Sequence, residues 1–179
     1  MAVKRGKSFK NKSAGAGCIT LRVNGRTYEM EIGNKSGQVN PADTLAHTLR
    51  ETLGLTGTKV SCDTGACGCC TVLMDGKAVL SCMMLTVECE GKEITTIEGL
   101  SDPKDGKLDP LQQAFANHTA FQCGFCTPGM IMSAKAVLIE SPSPTEEEIK
   151  EGLSGNFCRC ISHYHVVKAV TAAAGKPRP

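Results

Sequence analysis

Apolar and polar positions alternate at the start of the ordered pattern. Ile19, Leu21 and Val23 fall on one face of a strand predicted over Cys18 to Asn24. Asn24-Gly25 is a strong two-residue hairpin signal, and Arg26 to Ile32 reads as the return strand. The period then changes. Leu45, Leu49 and Leu53 recur at helical spacing, Asn40-Pro41 offers a cap followed by proline, and Gly54 offers a stop. Thr71 to Met74 and Lys77 to Cys82 form a second hairpin across Asp75-Gly76, and Glu93 to Ile97 is a further short strand. Gly99 to Lys107 is a polar linker, after which only helical patterns remain. Asp109-Pro110 starts a helix to about His118, and Thr127-Pro128 one to Ile139 or Glu140. Ser143-Pro144-Thr145-Glu146 has the capping-box pattern for a third helix closed by Gly152 to Gly155, and a fourth should cover about His163 to Ala174. Periodicity alone supports an α+β chain, a small sheet with one helix and then a helical part.

Charge is uneven. Lys4, Arg5, Lys7, Lys10 and Lys12 crowd a start that has no acid, and without them 15 basic residues face 18 acidic ones. Residues 1–16 are therefore expected to be a basic, solvated tail. Asn11 to Gly17 is polar and small, which excludes a twin-arginine export signal, and no apolar run approaches membrane-spanning length. The expectation is a cytoplasmic chain without a membrane partner. Trp is absent and aromatics make up 4%, so no stacking surface for nucleic acid is expected.

Cysteine is the outlier, with 11 in 179 residues. An odd count without a secretory signal argues for a reducing compartment and metal ligation over a disulfide framework. Cys62, Cys67 and Cys70 are spaced C-x4-C-x2-C, with Cys82 further on, which is the spacing of a plant-type [2Fe–2S] ferredoxin. Gly65 and Gly68 let the backbone curl so that amide N–H groups point at sulfur. The Asp75-Gly76 turn brings Cys82 back towards an exposed ligand loop. Two rival readings are structural zinc and a set of unrelated buried cysteines, but zinc ligands usually come as paired C-x2-C knuckles where the first gap here is four residues, and chance burial fits poorly with four thiols in nine residues.

A second set follows. Cys123 and Cys126 precede the helix at Pro128, and Cys158 and Cys160 follow the capped helix. Two pairs at helix ends meet if the helices pack antiparallel, and a helix N-terminus should favour thiolate. This spacing alone does not separate iron–sulfur from zinc. Beside a ferredoxin motif, a second cluster is the better reading. Cys18, Cys69 and Cys89 are left over and should be small, partly buried residues.

The run Cys62…Cys67-Gly68-x-Cys70-Thr71-Val72…Asp75-Gly76…Ser81-Cys82 resembles the N-terminal cluster motif of the small iron–sulfur subunits of molybdenum hydroxylases. This is the xanthine oxidase family, with aerobic carbon monoxide dehydrogenase, aldehyde oxidoreductases and 4-hydroxybenzoyl-CoA reductase. Gln122-Cys123-Gly124-Phe125-Cys126-Thr127-Pro128-Gly129-Met130 and Gly155-Asn156-x-Cys158-Arg159-Cys160 resemble its second motif. The likeness covers about residues 17 to 175. It implies an N-terminal β-grasp plant-type ferredoxin domain (17–99) and an all-α four-helix domain (100–179), each with one [2Fe–2S] cluster. It implies Cys62, Cys67, Cys70 and Cys82 as ligands of the first, and Cys123, Cys126, Cys158 and Cys160 as ligands of the second. It also implies a large partner subunit with molybdopterin and a medium one with FAD, assembled as a dimer of heterotrimers, with Gln122 and Cys160 on the pterin side. Two departures stand out. Cys69 stands where the family commonly has Ala or Ser, and Ile161-Ser162-His163-Tyr164-His165 replaces the common Thr-Gly-Tyr.

No catalytic base, P-loop or dinucleotide fingerprint is visible, so the substrate chemistry belongs to a partner. The expected function is electron transfer between a molybdopterin site and a flavin subunit. The rival classes are a free-standing two-cluster carrier and a zinc-stabilised interaction module.

Overall fold

The computed structural model describes residues 17–35, 37–102, 104–160 and 163–175. The basic tail, the Ile161-Ser162 step and the Pro177 to Pro179 end lie outside them.

The alternation at the start becomes strand β1, Cys18–Val23, with Ile19, Leu21 and Val23 buried. Strand β2, Arg26–Glu31, returns antiparallel to it, pairing Val23 with Arg26 and Cys18 with Glu31. Asn24 and Gly25 take φ of 52° and 72°, as a two-residue hairpin matched to strand twist requires. Asp75 and Gly76 repeat this, with φ of 50° and 81°, between β3, Thr71–Met74, and β4, Lys77–Leu80. The last strand, β5, Glu93–Thr95, inserts between the hairpins, parallel to β1 and antiparallel to β3. The strand order is β2-β1-β5-β3-β4.

Several boundaries differ from the sequence expectation. Asn40 does not cap a helix. Its side chain accepts from Ala42 N at 2.9 Å, and its own N–H donates to Asp43 at 2.8 Å, which closes a turn. The helix starts one turn later: α1, Leu45–His47, is capped by Thr44 and continues as a π-helical turn over Thr48–Thr52. Strand β4 stops at Leu80 because Ser81–Met83 forms a tight 3-10 turn, and Ile97–Gly99 does the same after β5. Thr145, not Ser143, is the cap of α4, Glu146–Gly152; its reciprocal partner is Glu148. The box closes on Thr145, whose N–H donates to Glu148 Oε2 at 2.6 Å and whose Oγ1 accepts from Glu148 N at 3.3 Å.

The other helices are α2, Pro110–Asn117, α3, Thr127–Glu140, and α5, His163–Ala173. The chain thus has two main apolar cores. One gathers Ile19, Leu21, Val39, Leu45, Leu49, Val72 and Ile94 between sheet and α1. The other gathers Leu111, Phe115, Met130, Ile149, Leu153 and Val170 among the helices. Each fully buried aliphatic or aromatic side chain contributes about 1.5–3 kcal/mol. A buried ion pair pins α3 to the start of α2. Lys135 donates to Asp109, while the other carboxylate oxygen of Asp109 accepts from Leu111 N at 2.9 Å.

Candidate metal centres

The first loop leaves α1 and runs under the end of β4. Its four matched cysteines fall into two pairs. Cys62 contacts Cys67, and Cys70 contacts Cys82 in a small apolar pocket with Ala46. Ser81 holds the pocket's floor by donating to the Cys70 carbonyl at 2.6 Å. Backbone amides reach the sulfurs: Thr64 N lies 3.5 Å from Cys62 Sγ, and Gly65, at φ 76°, directs its N–H at Cys82. The loop is less exposed than expected, since Cys70 and Cys82 are buried and Cys62 and Cys67 half-buried.

Hydrogen bonds and burial act on these thiols in opposite directions. The Thr64 N–H and then Cys67 lower Cys62 to about 6, so it is a thiolate at neutral pH. Burial, then the neighbouring Cys70, pushes Cys82 up to about 11.

The second set pairs in the same way. Cys160 Sγ stands 3.9 Å from Cys123 Sγ, and Cys126 contacts Cys158. Cys158 Sγ accepts from Cys160 N at 3.3 Å. Cys126 precedes α3 directly, yet burial and then Cys158 push it up to about 12. The helix end was expected to favour thiolate there; desolvation outweighs it. Cys123 and Cys160 are exposed, flanked by exposed Phe121, Gln122 and Phe125, with Phe157 open on the return loop.

Among the described residues no three or more His, Cys, Asp or Glu side chains gather as a single-ion site. Each cysteine set is instead two pairs. That division suits a cluster of two irons, each taking two thiolates, better than one tetrahedral ion. The glycines that curl the loops and the N–H groups aimed at sulfur fit the anionic charge of such a group.

The two sets share a seam. Phe157 N donates to the Cys67 carbonyl at 3.0 Å, and Asn156 Nδ2 donates to the Gly68 carbonyl at 2.9 Å. Asn156 is 4% exposed. The contact is closed by glycine on both sides. A Cβ on Gly129 would lie 2.3 Å from the Gly68 carbonyl oxygen, and one on Gly68 would lie 2.5 Å from that of Gly155. Cys69 sits in this seam. It lies inside the first ligand loop but is 5% exposed in the core of the helices, and burial, then Cys67, raises it to about 12. Cys89 is buried as expected, whereas Cys18 is exposed. His165 lies on α5 with its Nδ1 3.3 Å from the His118 carbonyl oxygen.

Asn156 and Gly129 stand within the motif runs quoted from the sequence, which gave neither a role. One signal was present: Cys67-Gly68-x-Cys70-Thr71 and Cys123-Gly124-x-Cys126-Thr127 share the pattern C-G-x-C-T. Both loops use a glycine at positive φ, 70° and 80°, and in both the threonine N–H meets that glycine's carbonyl at 3.3 Å.

Comparison with known proteins agrees with two cluster-binding units. Residues 30–97 match the family described as "2Fe-2S iron-sulfur cluster binding domain", and residues 96–171 match "[2Fe-2S] binding domain". The chain is 48% identical to the nicotine 6-hydroxylase small subunit of Paenarthrobacter nicotinovorans, over 88% of this chain and 90% of that one. It is 43% identical to the aldehyde oxidoreductase iron–sulfur-binding subunit PaoA of Escherichia coli K12, over 88% and 72%. Among solved structures, quinoline 2-oxidoreductase from Pseudomonas putida 86 matches with a TM-score of 0.77 and 43% identity, over 88% of this chain and 93% of that one. The aldehyde oxidoreductase from Desulfovibrio desulfuricans matches with a TM-score of 0.80 and 42% identity; there this chain spans 17% of a longer one.

Proposed function

The chain belongs to the small [2Fe–2S] subunits of the molybdenum hydroxylases, and on that premise we propose that its two cysteine sets form a wire between a molybdopterin subunit and a flavin subunit. It is an electron-transfer subunit of an oxidoreductase, with the substrate chemistry on a partner. We assign Cys62, Cys67, Cys70 and Cys82 to one cluster, and Cys123, Cys126, Cys158 and Cys160 to the other. Two clusters supply one-electron carriers at the two ends of the seam. The eight cysteines would hold them, and the seam between the two loops would fix their separation. We divide the chain into a β-grasp unit over 17–99 and a four-helix unit over 100–179, a division supported by the family matches meeting at residues 96–97.

The observation that carries the reading is the Phe157 N–H bonded to the Cys67 carbonyl at 3.0 Å. Cys67 belongs to one set, and Phe157 is bonded to Cys158 of the other. One hydrogen bond thus closes an otherwise covalent route between the two sets. The exposed side of the second set, with Gln122, Phe121, Phe125 and Cys160, is the face we assign to the large subunit. Exposed aromatics beside a site are the residues that interfaces bury. The Gln122 amide both donates and accepts, as a pterin edge requires. The set on the sheet side, whose Cys62 and Cys67 are half-buried, then serves the flavin subunit, in a dimer of heterotrimers.

The test is magnetic and kinetic. In the assembled enzyme the molybdenum EPR signal should be split by the cluster on Cys123, Cys126, Cys158 and Cys160. Gln122→Ala should slow exchange between molybdenum and iron–sulfur while both clusters stay loaded. Splitting by the other cluster alone would reverse the orientation. A chain that purifies with both clusters but no large subunits would be a free carrier.

A further inference from the structure

Two loops of the same backbone geometry treat their threonine differently. In the first, the Thr71 hydroxyl turns back and donates to the Gly68 carbonyl at 2.8 Å. That carbonyl also receives the Thr71 N–H at 3.3 Å and Asn156 Nδ2 at 2.9 Å. In the second loop the Thr127 N–H meets the Gly124 carbonyl at the same 3.3 Å, but the Thr127 hydroxyl does not follow it. Its Oγ1 is buried and has no hydrogen-bond partner among the described residues.

A buried hydroxyl without a partner forfeits its hydrogen bond to water and gains nothing in return. The position is informative. Thr127 is bonded to Cys126, whose thiol is itself buried against Cys158. The oxygen is buried by this chain alone, so a partner subunit is not needed to enclose it. What the described residues do not provide is an acceptor, and the group that the four cysteines would hold is rich in acceptors.

We infer that the Thr127 hydroxyl donates a hydrogen bond to a sulfur of the cluster held by Cys123, Cys126, Cys158 and Cys160, and thereby raises that cluster's reduction potential relative to the other. This rests on the ligand assignment proposed above. An O–H donor stabilises the reduced, more negative cluster more than the oxidised one, so the equilibrium for adding an electron moves toward reduction. In the first loop the equivalent donor is spent on backbone. The difference between two otherwise matched turns would set the two potentials apart along the wire. Thr127 is a positioning and tuning residue and does not ligate iron.

The test is an EPR-monitored redox titration of the assembled, iron-loaded enzyme. Thr127→Val, nearly the same shape without the hydroxyl, should make reduction of the second cluster about tenfold less favourable, about 59 mV lower for one electron. The first cluster should not move, and Thr127→Ser should restore the wild-type value. The companion substitution Thr71→Val should leave both potentials in place. An unchanged second-cluster potential in a fully loaded Thr127→Val enzyme overturns the inference; the hydroxyl would then face only a water. If Thr127→Val does not take up iron, the wild type decides. After brief exchange in D2O, a deuteron coupled to the second cluster supports the bond, and no such coupling overturns it. Cys126→Ser separates this from the ligand assignment: if it leaves both cluster signals intact, the assignment fails, whereas loss of one with no shift in Thr127→Val sinks the threonine alone.

Discussion

The side chain of Asn156 donates to the backbone carbonyl of Gly68 at 2.9 Å, joining residues 88 positions apart. It ties the loop that carries Cys67 and Cys70 to the loop that carries Cys158 and Cys160. The distance between the two cysteine sets is thus held by a short buried hydrogen bond and by two glycines too crowded to accept a side chain.

Loosening that seam should separate stability from cluster content. Asn156→Ala removes a buried amide and should cost about 1–2 kcal/mol. Gly129→Ala drives a methyl into the Gly68 carbonyl and should cost about 1–3 kcal/mol or more. Both should retain eight cysteine ligands and iron, yet weaken the magnetic interaction between the two reduced clusters. Thermal melts and EPR of the reduced chain measure the two effects. Unchanged coupling in both variants would mean that the seam does not set the separation.

Cys69 and Cys70 are neighbours with opposite roles. Cys70 pairs with Cys82, while Cys69 fills the helical core. Cys69→Ser should keep both clusters, with some loss of stability from a hydroxyl in an apolar site. Cys70→Ser should lose or distort the first cluster only. Visible absorption and iron per chain report on both, and loss of a whole cluster in Cys69→Ser alone would exchange the assignments.

The Lys135–Asp109 pair is buried to 6% and 2% exposure. Lys135→Met would leave Asp109 charged and unpaired where α2 begins, at a cost of about 3–5 kcal/mol. Adding Asp109→Asn should recover much of that, because the amide oxygen can still cap Leu111 while the charge is gone. Denaturant unfolding of the loaded single and double variants gives the comparison. A single variant as stable as the wild type would show that the pair is not a fixed contact.

Metal-free protein should load iron faster as pH rises. Cys126 and Cys82 stand at about 12 and about 11, raised chiefly by burial, so both are neutral thiols at pH 7. Ligation needs thiolate, so loading must release their protons. In the window from about pH 6.5 to 8.5 the thiolate fraction of a group so raised grows about tenfold per unit. Raised thiols also stabilise the metal-free fold below their unfolded value of about 8.5, and that contribution is lost as pH climbs towards 11 and 12. Cys62, lowered to about 6, is already a thiolate in this window and adds little to the slope. Initial rates of cluster absorbance across the window measure the slope; a flat profile would show that deprotonation is not limiting.

Much of this protein is written in short stretches. The hairpins at Asn24-Gly25 and Asp75-Gly76 are legible because a two-residue turn needs two positive φ values, and those residues adopt them at low cost. The same holds for Asp109-Pro110 as a helix start and for the cysteine spacings, since capping and loop ligation are settled within a few residues. Tertiary structure decided the rest. β5 enters between β1 and β3, Cys69 leaves its own loop for the helical core, and Asn156 finds Gly68. Even the start of α1 moved, from Asn40 to Leu45, because Asp43 offered Asn40 a turn and Thr44 a second cap. The Thr71 and Thr127 hydroxyls make the division plain. Identical local patterns give identical backbone turns, but where each hydroxyl points depends on what the rest of the chain packs around it.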